Sequence, residues 1–222
     1  MLRIIASFYK HNEVRFVSHL DMQRLFQRAF RRAGLPLSYS KGFNPHPLLS
    51  FATALSVGYT SECEYFDVFL DEKIDADEFR SRVNAVLPEG VAVTKAVDAG
   101  EMKASLTTLM RSADYFARLD FDREVTSDEL ENALASLLTG EIIVEKKTKG
   151  GMKDVDIRPL LISVKLIDCS EGSAILYIRG KLTAEGGLPL ELLFGAISEK
   201  VGASAVSTVN RRTIEMDWSE GK

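Results

Sequence analysis

The strongest constraint on how this chain folds is an order of hydrophobic patterns that runs through it twice. An extended stretch leads into a helical one, two extended stretches follow, and then another helical and another extended stretch. In the first pass, residues 2–9 (LRIIASFY) alternate as a strand, and 14–17 continue it or pair with it after the turn at His11-Asn12-Glu13. Ser18 offers a side-chain oxygen to the free N–H groups of a helix predicted over 19–33, and Gly34 with Pro36 stops it. Met22, Leu25, Phe26, Ala29, Phe30 and Ala33 recur every three or four residues and form its buried stripe. Residues 48–56 and 62–70 read as an antiparallel pair turning near Gly58 and Thr60. A helix over 75–87, stopped by Pro88-Glu89-Gly90, and a strand over 91–97 complete the pass.

The second pass places a strand at 115–121, a helix at 127–138 and a strand at 141–147. An insertion over 148–161 follows. A hairpin of 162–167 with 174–178 turns at Ser170-Glu171-Gly172, followed by a helix at 189–201 and a strand at 205–214. The expected class is α+β. The β-α-β-β-α-β order predicts two ferredoxin-like halves with antiparallel sheets, at 1–98 and 113–216, joined by a connector at 99–112. The halves share no residue-by-residue repeat, so a tandem duplication is read from the order of elements alone.

Charge is distributed unevenly. Residues 1–60 hold eight Lys/Arg and two acids, Glu13 and Asp21, whereas the whole chain of 222 residues carries a net −4. All three histidines, His11, His19 and His46, lie in the same stretch. On the first predicted helix, Arg24, Arg28 and Arg31, with Arg32 adjacent, lie opposite the apolar stripe. Asp21 reaches Arg24, but no acid lies a helical turn from Arg28 or Arg32. Guanidinium forks match phosphate oxygens, so this ridge is a candidate phosphate-binding face; an ordinary solvated face is the alternative. The loop 38–47 (SYSKGFNPHP) gathers Tyr39, Lys41, Phe43, Asn44 and His46 between prolines that hold Asn44 and His46 extended. It is either a pre-organised binding loop or a structural crossover. The expectation is that loop and ridge converge on one electropositive pocket. Arg24, Arg28, Arg31, Arg32 and Lys41 would then hold phosphates, Tyr39 and Phe43 would stack a base, and His19 and Asn44 would hydrogen-bond it. A second basic region comprises Lys146, Lys147, Lys149, Lys153 and Arg158 around Gly150-Gly151.

His19 and His46 are candidate acid–base groups. Cys63 and Cys169 form no CxxC pair and cannot supply three thiolates to an iron–sulfur cluster, so no metal and no cofactor is expected. Phosphate-loop, dinucleotide, serine-elbow and HExxH signatures are absent. No apolar run spans a bilayer, and the N-terminus reads as a strand and not as a signal peptide, so the expected location is the cytoplasm.

The runs Arg15-Phe16-Val17-Ser18-His19-Leu20-Asp21, Arg31-Arg32-Ala33-Gly34-Leu35-Pro36 and Tyr39-Ser40-Lys41-Gly42-Phe43-Asn44-Pro45 resemble the bacterial radical SAM-linked domain of unknown function. So do Ser50-Phe51-Ala52, Glu64-Tyr65-Phe66-Asp67 and Asp156-Ile157-Arg158-Pro159. The resemblance covers most of the chain and implies a radical SAM protein as partner and a role near ribosome or RNA processing. The expected function is an accessory module that presents tRNA or rRNA to a radical SAM enzyme. Two alternatives stand. Tandem halves with a histidine near a basic helix are similar to metal-independent RNA endonucleases, and the arginine face also suits an acidic protein partner.

Overall fold

The computed structural model describes residues 1–148 and 151–219. These form two compact units, 1–110 with 213 onward, and 111–212.

The first unit begins with β1 (Leu2–Lys10), a 3-10 turn (Asn12–Val14) and α1 (His19–Arg32). It continues through β2 (Leu49–Phe51), β3 (Thr60–Leu70), α2 (Ala76–Asn84), β4 (Val91–Asp98) and a single turn, α3 (Leu106–Leu109). β1 pairs antiparallel with both β3 (Ile4↔Val68) and β4 (Ile5↔Val97), and β2 pairs with β3 (Leu49↔Val68), giving the order β4-β1-β3-β2. Residues 14–17 are not the strand expected from their apolar character. The Lys10 ammonium binds the carbonyls of Arg15 and Val17, at 3.0 and 2.9 Å, and ties this segment down as a strap leading into α1.

The start and stop of α1 arise as its sequence requires. Ser18 Oγ accepts the Asp21 N–H at 3.2 Å, and Gly34 leaves the helix with φ +63°. Its stripe packs onto the sheet through an aromatic cluster. Phe26 stands 4.9 Å from both Phe8 and Phe66, and Phe30 is 5.8 Å from Phe79 of α2. The two helix ends also bind each other's chains. Arg82 of α2 donates to the carbonyls of Ala33 and Gly34, each at 2.7 Å, and Arg32 of α1 donates to the Val86 carbonyl. Cations there complement the negative ends of both helices.

The second unit holds β5 (Met110–Phe121) from Arg111, α4 (Ser127–Thr139), β6 (Ile143–Thr148), β7 (Gly151–Asp156), a 3-10 turn (Arg158–Leu160), β8 (Leu161–Ser170), β9 (Ser173–Thr183), β10 (Gly186–Gly187), α5 (Leu190–Val201) and β11 (Ala205–Met216) up to Arg212. β9 pairs antiparallel with β5, β8 and β10, and β5 lies between β9 and β11. The expected strand at 141–147 does not join this sheet. Among the described residues β6 pairs only with β7, as a separate hairpin in register Ile143↔Asp156, and β8 takes the place beside β9. A strand that finds its partner a few residues later closes a shorter loop, and closure cost rises with loop length. The expected turn is present: Glu171 (φ +51°) and Gly172 (φ +76°) join β8 to β9 in the left-handed conformation such hairpins require.

The protein is therefore mixed α+β with antiparallel strands and, among the described residues, five α-helices. None of these helices is long and apolar enough to cross a membrane.

Candidate nucleic-acid interface

The exposed side of α1 borders an open groove of about 530 Å³, walled by Val17, Asp21, Arg24, Leu25, Arg28, Arg32 and Pro88. Helical spacing aligns Arg24, Arg28 and Arg32, and the chain leaving α2 supplies Pro88 opposite them. Three guanidiniums thus meet one carboxylate. Asp21 is already engaged: it accepts from Ser18 Oγ at 2.7 Å and from Arg24 at 2.8 Å. These bonds hold its carboxyl below the usual range, the Ser18 hydroxyl contributing most and Arg24 next. Among the described residues no carboxylate pairs with Arg28 or Arg31, and both are exposed. Arg31 lies outside the groove walls. Arg32 shares its guanidinium between the groove and the α2 carboxyl end.

The loop 38–47 is a closed hairpin-like turn. Tyr39 bridges to Pro47, the Ser40 N–H donates to the His46 carbonyl at 2.9 Å, and Ser40 Oγ meets His46 Nδ1 at 2.9 Å. Ser38, buried at its base, is anchored to the Phe69 carbonyl at 2.8 Å and to Asp71 at 2.6 Å. At the tip, Lys41, Phe43 and Asn44 are exposed, the Phe43 ring fully so, and Tyr39 is 44% exposed. The convergence expected of loop and ridge is not seen in the groove: its walls come from α1, from Val17 in the strap before it and from Pro88, with no residue of 38–47 among them. The reason is connectivity. Leu37 bridges to Leu70 and the loop feeds β2 at the sheet edge, whereas the groove opens toward the chain leaving α2.

The two candidate histidines have separate surroundings. His19 stands edge-on to Phe51, 5.5 Å away, beside a cavity of about 20 Å³ that Lys10 and Glu64 also line. His46 sits on the exposed loop with Nδ1 held by Ser40. His11 stacks on Tyr9 and pairs with Glu62 at 3.1 Å. No group of three or more His, Cys, Asp or Glu able to hold a metal occurs among the described residues.

In the second basic region, Lys146, Lys147 and Lys153 are exposed on β6 and β7, and Lys146 faces Lys153 directly across the hairpin. Like charges in that position repel. Lys149 lies outside the described residues. Arg158 is a brace: it donates to the Leu138 carbonyl at 2.9 Å and the Leu161 carbonyl at 2.7 Å. Asp156 does not pair with that guanidinium. Its carboxylate accepts the N–H groups of Ile142 and Arg158, each at 2.9 Å.

Sequence reasoning located the arginines but missed Pro88 and Val17 as walls. Pro88 was legible only as a helix stop, because its second role depends on where α2 ends relative to α1.

The model of a family described as "Uncharacterized protein conserved in bacteria (DUF2344)" matches residues 3–187, and that description names no radical SAM partner. No curated protein matches the chain. Among solved structures, a chain of a Cbf5-Nop10-Gar1 complex is similar over 95% of this chain and 48% of its own length, with a TM-score of 0.57 and 10% identity. A chain of an H/ACA RNP bound to a substrate RNA containing 2'-deoxyuridine matches over 98% and 49%, with a TM-score of 0.56 and 10% identity. One from an archaeal box H/ACA sRNP Nop10-Cbf5 complex matches over 94% and 46%, with a TM-score of 0.53 and 9% identity. This chain spans about half the length of those chains, and at such identity the likeness is one of fold.

Proposed function

The chain belongs to this bacterial DUF2344 family, and we propose that it is a non-catalytic RNA-binding module whose phosphate-holding face is the α1 groove. The observation that carries the reading is the charge of that groove, where Arg24, Arg28 and Arg32 face one already engaged carboxylate. Arg31 and the exposed loop tip, with Lys41, Tyr39, Phe43 and Asn44, extend the contact beyond the groove. The three lysines described on the β6–β7 hairpin make a secondary basic contact. The fold shared with chains from RNA–protein complexes is compatible with this role at the level of architecture.

The finer parts of the reading follow. The antiparallel order in the first unit, and the same order, β8-β9-β5-β11, in the second, support two ferredoxin-like halves at 1–98 and 113–216 with a connector at 99–112, derived by duplication. The enzyme served is a radical SAM protein of the cytoplasm, and the RNA is tRNA or rRNA.

Fluorescence anisotropy with labelled tRNA at low salt tests the groove. Arg24→Glu/Arg28→Glu is expected to weaken binding at least about tenfold, with helicity by circular dichroism unchanged. Unchanged affinity, or no affinity in the parent chain, overturns the reading. Metal-independent cleavage lost in His19→Ala or His46→Ala would replace it with the endonuclease reading. Capture of a radical SAM protein that survives ribonuclease, without any RNA affinity, would replace it with protein docking.

A further inference from the structure

The face of the first unit's sheet turned away from α1 holds a second concavity. Ile4, Ala6 and Phe8 of β1 belong to the core beneath the helices, so Ile5 and Ser7 point to the other side. There they meet Tyr65 of β3, Lys95 and Val97 of β4, and Trp218, around a pocket of about 340 Å³. That volume falls within the usual range for small-molecule sites.

Trp218 is held in place. The Asp217 N–H donates to the Leu109 carbonyl at 2.8 Å, and the indole stands edge-on to Tyr65 with centroids 5.9 Å apart and planes at 70°. It is still 40% exposed, at the wall of the pocket. Burial, with a hydrogen bond to Cys63, raises the Tyr65 phenol well above its ordinary value, so it remains a neutral ring.

The polar groups are few and distinct. The Lys95 ammonium has no carboxylate partner among the described residues and is exposed at the mouth. Asp98 uses Oδ1 to accept the Gly100 N–H at 2.8 Å, and its second oxygen has no hydrogen bond among the described residues. Ser7 Oγ is already bound to Thr94 Oγ1 at 2.8 Å and adds polarity without a free donor. Two aromatic rings at a steep angle, one cation and one free carboxylate oxygen match a planar heteroaromatic ring that carries an amino group and an anionic substituent.

We propose that this pocket binds a nucleotide. The base stacks on the Trp218 ring and meets the Tyr65 ring edge-on, Asp98 accepts from its exocyclic amino group, and Lys95 holds its phosphate. The nucleotide is either free or an unpaired residue of an RNA. The proposal goes beyond the α1 groove and does not depend on it.

Trp218 is the single tryptophan of the chain, so its fluorescence reports this site directly. Titration of the full chain with AMP, CMP, GMP and UMP is expected to give saturable quenching, with UMP, which has no amino group, the weakest. Lys95→Glu is expected to weaken binding about tenfold, and Asp98→Asn to narrow the gap between UMP and the others. Trp218→Leu, followed by calorimetry, is expected to lose about tenfold. A single-stranded oligonucleotide that binds far more tightly than any mononucleotide marks RNA as the source, and equal affinities mark a free nucleotide. Arg24→Glu/Arg28→Glu is expected to leave mononucleotide quenching intact, which separates this outcome from that of the groove. No saturable quenching by mononucleotides up to about 10 mM or by the oligonucleotide overturns the proposal. Quenching indifferent to both Lys95→Glu and Asp98→Asn also overturns it.

Discussion

Lys10 shows how one buried residue can decide where a functional surface begins. It is 3% exposed, and its ammonium holds the Arg15 and Val17 carbonyls, so it sets the point from which Ser18 caps α1 and Arg24 and Arg28 take their places. Burial pushes its pKa down, and the nearby Glu64 carboxylate opposes the shift. A base whose folded pKa is depressed destabilises the fold while charged, so this cost is present below the folded pKa and disappears as pH rises toward the ordinary lysine value. Lys10→Met leaves the Arg15 and Val17 carbonyls without their charged donor and is expected to cost about 2 kcal/mol by chemical denaturation. The residue is not recognisable in sequence. A lysine ending a strand reads as solvent-exposed, and only the return of the strap over it takes it out of water.

Among the elements, the helices were the most legible because their signals are local. Ser18, Asp75 and Thr126 each cap a helix through a side-chain oxygen, and Gly202, at φ +64°, ends α5. Thr126 forms a full capping box: its Oγ1 accepts the Glu129 N–H at 3.3 Å, and its own N–H donates to Glu129 at 2.8 Å. That backbone N–H, then Arg123, holds the Glu129 carboxyl below its ordinary value. A depressed acid stabilises the fold above its unfolded pKa and loses that contribution as pH falls through the folded one. Thr126→Ala removes the oxygen that accepts the Glu129 N–H and is expected to cost about 1 kcal/mol by thermal melting. Glu129→Gln removes the titrating group, so its thermal-melting difference from the parent chain should shrink as pH falls through the depressed Glu129 value. The strands were less legible. The pattern at 141–147 announces an extended segment correctly but carries no mark of its partner, and β6 pairs with β7 instead of joining the larger sheet.

For the whole chain the governing quantity is charge. A net −4 works against long-range capture of RNA, so the proposed binding would rest on the few cations concentrated in the first 60 residues. Three or four neutralised phosphates on a single strand predict a slope of roughly −2 to −3 for log K against log salt, measured by anisotropy from low to physiological ionic strength. A much steeper slope would mean that the β6–β7 lysines share the load. A flat one would mean that recognition does not run through the arginines.

The linear order of residues was enough to specify the α+β class, the cap and stop of α1, the apolar stripe led by Phe26 and Phe30, and the arginine ridge opposite it. Each of these depends on neighbours within a turn or two of chain. Tertiary structure alone decided that Pro88 closes the groove, that Lys10 is buried, that the 38–47 loop stands apart from the groove, and that Trp218 lies beside Tyr65. Pro88 and Trp218 meet residues tens to more than a hundred positions away, and the strap over Lys10, only five to seven residues along, turns back without a local signal; such pairings are selected by the packing of the folded chain.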